Sequence, residues 1–146
     1  MRILLAVDGS TFSDKAIKVT RRPWPTGSEV KVISVVERPV PPIPEAWGMS
    51  VGDYLTGEEE WRREQARKAL EAASHLLHTS EDKTLKVTTE ILAGPPKQTI
   101  LDEAERWGAD LIVVGSHGYG FWDRMLLGSV SQAIALHAKC SVQIVK

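Results

Sequence analysis

The sequence predicts a doubly wound α/β domain, in which helices cover both faces of a parallel β-sheet. Short runs rich in Val, Ile and Leu alternate along the chain with segments whose apolar residues repeat at helical spacing. Strands that alternate with helices are joined by right-handed crossovers, and such crossovers produce a parallel sheet. The chain has 146 residues, of which 42% are hydrophobic and 25% charged, and this is typical of one globular domain spanning 1–146.

Five apolar runs are predicted to be strands. They are ILLAV at 3–7, VKVISVV at 30–36, LKVTTEIL at 85–92, DLIVV at 110–114 and SVQIV at 141–145. The first and fourth runs are almost entirely apolar, as expected for central parallel strands that are buried on both faces. The third and fifth contain polar residues more often, which favours positions at the edges of the sheet.

The first two helices are predicted from capping residues and apolar spacing. Ser10 or Ser13 is available to cap a helix that begins near Phe12. Thr56 and Glu59 form a capping box, which predicts that the second helix starts there. The apolar stripe of this second and longest helix consists of Ala66, Ala69, Leu70, Ala73, Leu76 and Leu77.

The last two helices carry similar signals. Pro95 or Pro96 suits the first turn of the third helix, and Gly108 stands where a left-handed C-terminal cap belongs. Ser129 with Gln132 forms a second capping box, which predicts that the fourth helix starts near Ser129 with the serine as its cap.

A Pro-rich insertion at 38–57 interrupts this regular alternation. It contains four prolines and follows the second strand directly. Long loops without secondary structure are uncommon unless they are functional or disordered. Two interpretations stay open for the insertion, a poorly ordered surface loop and a flap over a ligand or a second subunit.

Charge and hydropathy limit the possible partners and location. The formal net charge is −1, so no overall field favours nucleic acid or an anionic membrane. The start of the chain does not resemble an export signal, and no stretch approaches the roughly 20 apolar residues of a membrane-spanning helix. We therefore expect a cytoplasmic protein with neither nucleic acid nor membrane as partner.

The most unusual stretch is GSHGYGFWDRMLLGSVSQ at 115–132, which contains four glycines between a predicted strand and a predicted helix. If the first and fourth strands are neighbours, this stretch and Asp8 line one crevice at the carboxyl end of the sheet, where open α/β sheets bind ligands. The amides of a following helix N-terminus would favour a phosphate. In the alternative interpretation the glycines form only tight turns and Ser129 only caps a helix.

At these residues the sequence resembles the ATP-binding branch of the universal stress protein family. Gly115, Gly118, Gly128 and Ser129 match the pattern G-x2-G-x9-G-[ST] of that branch, and ILLAVDGS, ADLIVVGSHG, LLGSVSQAI and SVQIVK occur in the expected order. The resemblance covers nearly the whole chain. It implies a five-stranded sheet of order 3-2-1-4-5 flanked by four helices, a homodimer joined through the last strand at 141–145, and bound ATP that brings Mg²⁺ with it.

The resemblance also implies a set of nucleotide-binding residues. Asp8 would face the ribose or base, and Val35 would offer backbone groups to the adenine edge. The ribose and phosphates would be held by Gly115, Ser116, His117, Gly118, Gly128, Ser129, Val130 and Ser131. Arg124 lies within the glycine-rich stretch and could reach a terminal phosphate, although a solvated arginine is an equal alternative. No catalytic or metal-ligating residue is assigned.

Three classes of function remain, and the sequence favours the first. It is an ATP-binding regulatory or stress-response module that acts as a dimer. The second is a slow ATPase or phosphoryl-transfer enzyme, against which the glycine-rich stretch lacks a P-loop lysine and an evident general base. The third is a nucleotide-free dimerising interaction domain, which has less need of three spaced glycines.

Overall fold

The polypeptide forms a parallel sheet covered by two helices on each face. The structure, a computed structural model, describes residues 1–38, 51–79, 85–118 and 127–146. In chain order the elements are β1 (Arg2–Ala6), α1 (Thr11–Thr20), β2 (Glu29–Val36), α2 (Val51–His78), β3 (Lys86–Ala93), α3 (Pro96–Trp107), β4 (Leu111–Gly115), α4 (Ser129–His137) and β5 (Ser141–Val145). The strand order is β3-β2-β1-β4-β5, with every neighbouring pair parallel, which confirms the predicted doubly wound fold.

The positions of the strands agree with their composition. β1 lies at the centre, with Leu5 paired to Val32 of β2 on one side and to Val113 of β4 on the other. All five residues of β4 are buried, whereas most residues of β3 and β5 are partly or fully exposed. The apolar runs are therefore central and the more polar runs lie at the edges, as predicted.

The hydrophobic core consists of two layers on opposite faces of the sheet. Successive side chains of a strand point to opposite faces. Ile3 and Leu5 accordingly pack with α1 and α2, whereas Leu4 and Ala6 pack with α3 and α4. In the described parts of the chain, no helix is both long enough and apolar enough to cross a membrane.

Three of the predicted helix ends are confirmed. The side chain of Ser10 caps α1 by accepting a hydrogen bond from the backbone N–H of Ser13 at 3.3 Å. Pro96 occupies the first turn of α3, and Gly108 ends that helix in the left-handed conformation with φ of 69°.

The predicted start of α2 is wrong. The helix begins at Val51, so Thr56 lies within it, and the last seven residues of the predicted loop 38–57 are helical. No proline follows Pro44 in this segment, so nothing in the backbone prevents the helix from extending upstream of the capping box. Ion pairs from Arg62 to Glu58 and from Arg63 to Glu59 stabilise the early turns. The rest of the predicted loop, 39–50, lies outside the described residues.

A buried ionic cluster joins α3 to the sheet. The Glu103 carboxylate, whose side chain is 3% exposed, accepts hydrogen bonds from Lys31 of β2 at 2.6 Å and from Arg106 at 2.6 Å. Lys31 also contacts Glu90 of β3 at 2.5 Å. Burial opposes ionisation of Glu103, but its bonds to Lys31 and Arg106 outweigh burial and hold the pKa of this carboxyl below its usual value.

Candidate functional site

A cavity of about 460 Å³ opens at the carboxyl ends of the central strands. The winding of the sheet reverses between β1 and β4, and this is where doubly wound proteins bind ligands. Nine of the residues predicted to bind a nucleotide line the cavity, namely Asp8, Val35, Gly115, His117, Gly118, Gly128, Ser129, Val130 and Ser131. Ile33, Ile100 and Val114 contribute an apolar wall.

The N-terminus of α4 presents unpaired amides to this cavity. The N–H of Gln132 makes the first helical hydrogen bond, to the carbonyl of Gly128 at 3.0 Å. The N–H groups of Ser129, Val130 and Ser131 have no hydrogen-bond partner among the described residues. Three convergent amides at the positive end of a helix dipole favour a bound anion.

The predicted capping role of Ser129 is wrong. Gly128 is the N-cap of α4, with extended backbone angles φ −69° and ψ 156°, and no side chain caps the helix. Ser129 is therefore the first helical residue, and its exposed side chain lines the cavity. The Ser129 hydroxyl is available to a ligand because it is not used to hold the helix end.

Ser116 does not line the cavity but holds the residues that do. It is fully buried, and its N–H donates to the carbonyl of Val145 at 2.7 Å. Its own carbonyl accepts from the N–H of Gly128 at 2.7 Å and from the Ser131 hydroxyl at 2.8 Å. The predicted contacts of Ser116 and of the Ser131 hydroxyl with phosphates therefore do not fit the structure. The Ser116 N–H is bonded to β5, and the Ser116 carbonyl and the Ser131 hydroxyl hold the start of α4. The Ser131 amide stays available.

Asp8 combines a structural role with an open carboxylate oxygen. The Asp8 Oδ1 accepts a hydrogen bond from the N–H of Ser10 at 2.9 Å, which shapes the turn into α1. The Oδ2 lies over Gly118, where an added Cβ would come within 2.7 Å of it. The carboxylate thus reaches the cavity, and the absence of a side chain at Gly118 leaves it room to do so.

Val35 lies where β2 extends beyond β1. The N–H of Val7 donates to the carbonyl of Ile33 at 2.9 Å, and this is the last backbone hydrogen bond between these two segments. The backbone N–H and C=O groups of Ile33 and Val35 face the β1 side of β2. The carbonyl of Val36 faces β3 and accepts a hydrogen bond from the N–H of Gly94. Because β1 has ended, the N–H and C=O of Val35 have no backbone partner among the described residues and border the cavity.

The side chain of His117 lies against α1 at the edge of the cavity. Its ring is tilted on that of Phe12 with centroids 5.1 Å apart, and Nδ1 lies 3.1 Å from the Ser116 hydroxyl. The backbone carbonyl of His117 accepts a hydrogen bond from the Ser10 hydroxyl at 3.4 Å. These contacts hold the segment after β4 on the start of α1. Arg124 lies outside the described residues.

Gly115 is required by packing between β4 and α1. An added Cβ would lie 2.8 Å from the carbonyl carbon and 3.0 Å from the carbonyl oxygen of Phe12, and backbone atoms cannot move aside cheaply. We expect Gly115→Ala to lower the free energy of unfolding by about 1 to 3 kcal/mol through overpacking. Urea denaturation measures this change. The matched variant Gly57→Ala, at an exposed helical position with open space around it, should be neutral or stabilising.

Several lining residues escaped sequence analysis. Pro96 and Ile100 of α3 line the cavity because α3 begins at the same end of the sheet, and Ser13 of α1 also reaches it. The helical spacing of Ile100 indicated a buried face but not a ligand site. Among the described residues, no group of three or more His, Cys, Asp or Glu side chains could hold a metal ion.

The fold and the cavity place the chain among doubly wound α/β proteins whose ligand site lies at the switch point of the sheet. Within that class, the chain belongs to the universal stress protein family, whose model matches residues 1–146. Universal stress protein A homolog 2 of Coxiella burnetii is 41% identical over 103 residues, which are 69% of this chain and 63% of that relative. A universal stress protein of Methanocaldococcus jannaschii is 33% identical over 99% of this chain and 81% of its own length.

Solved structures share the same architecture. The universal stress protein UspA of Lactobacillus plantarum is 26% identical and superposes with a TM-score of 0.79 over 100% of this chain and 97% of its own. A universal stress protein family member of Arabidopsis thaliana, solved with AMP bound, has a TM-score of 0.69 at 21% identity, over 100% of this chain and 91% of its own. The Archaeoglobus fulgidus protein in complex with dAMP has a TM-score of 0.64 at 22% identity, over 100% of this chain and 98% of its own. Nucleotide binding is therefore found among members of the fold family.

Proposed function

We propose that this protein binds ATP in the cavity between β1 and β4 and acts as a regulatory module in a stress response. The observation that carries the proposal is the set of three unpaired amides at Ser129, Val130 and Ser131, all facing a cavity whose far side holds Asp8 and Val35. AMP and dAMP in the related structures support an adenine nucleotide as the ligand.

Each part of the nucleotide has a matching region of the cavity. The phosphates lie at the start of α4, where they accept hydrogen bonds from the three amides and the Ser129 hydroxyl. The Asp8 carboxylate accepts from the ribose hydroxyls. The adenine lies against the apolar wall, with its N1 accepting from the Val35 N–H and its exocyclic amine donating to the Val35 carbonyl. Guanine would present the opposite polarity to these two groups.

The glycine-rich stretch and the metal complete the proposed complex. Gly118 allows the backbone to approach the ribose and the first phosphate, and Arg124 pairs with the terminal phosphate. Mg²⁺ enters as the ATP complex and is coordinated mainly by phosphate oxygens and water. The module works by binding, so that ATP stabilises one conformation or assembly over another. Slow hydrolysis is the alternative, and formation of ADP over time measures it.

We further propose that the protein is a cytoplasmic homodimer joined through β5. This strand lies at the edge of the sheet, and no strand of the described residues pairs with its outer side, which leaves that side for a strand of a second subunit. Leu136 of the adjacent α4 has 71% of its surface exposed, which a second subunit could cover. Light scattering after size exclusion should give the mass of a dimer. The mass of a monomer at micromolar concentration would contradict this proposal.

Replacing Ser129 with proline tests the phosphate position directly. Proline removes the amide donor but suits the first position of a helix, and the extended backbone of Gly128 is compatible with a following proline. Because a hydrogen bond to a charged group contributes about 1.5 to 3 kcal/mol, we expect Ser129→Pro to weaken ATP binding by about 10- to 100-fold. The melting temperature of the nucleotide-free variant should equal that of the wild type.

Ser129→Ala is the matched control because it keeps the amide and removes only the hydroxyl. It should weaken ATP binding by about two- to tenfold. The stability of the nucleotide-free protein should not change, since this hydroxyl does not cap α4. Melting curves at increasing ATP concentration report both quantities. If the proline and alanine variants bind ATP as tightly as the wild type, the phosphates do not lie at α4.

A further inference from the structure

The turn between β1 and α1, which carries Asp8, passes through a glycine. It consists of Asp8, Gly9 and Ser10, and the backbone of Gly9 adopts the left-handed conformation with φ of 84°. Because glycine has no Cβ, it moves between backbone conformations at little cost. The position of the Asp8 carboxylate therefore depends on the contacts that hold Gly9 and Ser10.

Ser13 of α1 holds this turn at two points. Its hydroxyl accepts a hydrogen bond from the N–H of Gly9 at 3.1 Å and donates one to the carbonyl of Ser10 at 2.9 Å. Ser13 is 3% exposed and borders the cavity, so water competes little for these two bonds. Its backbone N–H bonds separately to the Ser10 hydroxyl, which caps α1. The side chain of Ser13 thus holds the turn, and its backbone belongs to the helix cap.

The two bonds of the Ser13 hydroxyl determine where the Asp8 carboxylate points. The Gly9 N–H belongs to the planar peptide group that follows Asp8, so holding this N–H fixes the backbone rotation next to the Asp8 Cα. Ser10, held through its carbonyl, donates its N–H to the Asp8 Oδ1 at 2.9 Å. With the backbone and one carboxylate oxygen held, the Oδ2 lies over Gly118 at the cavity.

We propose that Ser13 is a positioning residue that aims the Asp8 carboxylate at the ribose hydroxyls of the bound nucleotide. The inference rests on the proposed function. Both partners of the Ser13 hydroxyl are backbone groups of the turn, so its effect on the ligand passes through Asp8. A carboxylate that is held before binding loses little freedom when the ribose hydroxyls reach it, and this preorganisation strengthens binding. A nucleotide without those hydroxyls gains nothing from it.

Calorimetric titration with ATP and with 2′,3′-dideoxy-ATP tests this role, because only ATP carries ribose hydroxyls for Asp8. Ser13→Ala removes the hydroxyl, keeps the backbone N–H that Ser10 caps, and places a strong helix former in α1. It should weaken ATP binding by about three- to tenfold and leave the affinity for the dideoxy analogue within about twofold of the wild type. In an Asp8→Ala background, Ser13→Ala should weaken ATP binding no further, because the group that it positions is gone.

Two further variants complete the experiment. Thr20→Val is the matched control, because it removes another buried hydroxyl of α1, one that bonds to the carbonyl of Ala16 and does not line the cavity. Both affinities should stay unchanged in this variant. Ser13→Cys keeps the approximate size of the side chain but has a much weaker hydrogen-bonding group. It should lower the affinity for ATP relative to the dideoxy analogue, and it supplies the measurement if the alanine variant does not fold.

The outcomes separate this inference from the proposed function. If the Ser13 variants weaken binding of both nucleotides equally, or weaken neither, Ser13 does not act through Asp8 and the inference is wrong while ATP binding stands. The same conclusion follows if Ser13→Ala costs as much in the Asp8→Ala background as in the wild type. If the wild type binds both nucleotides equally tightly, Asp8 does not bind the ribose and the inference is again wrong. If the wild type binds neither nucleotide, the proposed function fails together with the inference.

Discussion

Gly118→Val is expected to weaken ATP binding by about 10- to 100-fold, the cost of losing one hydrogen bond to a charged group. A Cβ at this position would lie 2.7 Å from the Asp8 Oδ2, so the carboxylate must turn away from the cavity. The branched valine side chain would also occupy the entrance where the backbone approaches the ligand. Calorimetric titration with ATP measures the loss.

The stability of the nucleotide-free variant separates this effect from misfolding. Gly118 is exposed, and only the flexible end of the Asp8 side chain has to move, so the free energy of unfolding should change by less than about 1 kcal/mol. Gly57→Val is the matched control, because apart from its chain neighbours and its own helix backbone no described atom lies within 4 Å of the added Cβ. ATP affinity in Gly118→Val equal to that of the control would exclude the pairing of Asp8 and Gly118 from the site.

Glu103→Gln is expected to lower the free energy of unfolding at pH 7 by about 2 to 4 kcal/mol. The substitution keeps the shape of the side chain but removes the buried charge that compensates the largely buried Lys31 and pairs with the exposed Arg106. Lys31 keeps its contact with Glu90, so the loss should not reach that of a fully isolated buried charge. Urea denaturation at pH 7 gives the difference, and Glu105→Gln, at an exposed carboxylate of the same helix, is the control.

The difference in the free energy of unfolding between the wild type and Glu103→Gln should depend on pH. The pKa of Glu103 is lower in the folded protein than in the unfolded chain, where a glutamate titrates near pH 4.3. Its contribution to stability is therefore complete above that pH and is lost as the pH falls through the lower, folded pKa. The difference in stability between wild type and Glu103→Gln should be constant from pH 6 to 8 and shrink below about pH 4. A difference that stays constant down to pH 3 would contradict the ion-pair account.

Much of the fold follows from the order and composition of short segments. Strand positions and the distinction between central and edge strands could be predicted because burial on both faces demands apolar residues throughout β1 and β4. The two errors, at Thr56 and Ser129, have one cause. A serine or threonine three residues before Glu or Gln can cap a helix only if its own backbone is not helical. Whether it is helical depends on the conformation of the residues before it, which the capping motif does not specify. At Gly128 the extended backbone places the cap one residue earlier than the motif suggests.

The position of the candidate site could be predicted from the sequence, but the role of each residue in it could not be predicted. Glycine spacing marks the segment between β4 and α4, yet Gly115 is explained by its contact with Phe12 and Ser116 by its bonds to Val145 and Gly128. Those partners are distant in the sequence, and only the fold brings them together.

The most direct test of the central claim is a calorimetric titration of nucleotide-free wild-type protein with ATP in the presence of Mg²⁺. The account predicts saturable binding of one ATP per chain, with ADP and AMP binding at the same site with lower affinity as phosphate contacts to α4 are lost. Absence of binding by all three nucleotides at millimolar concentration would contradict it. The amides of α4 and the glycines around them would then serve only the architecture of the domain.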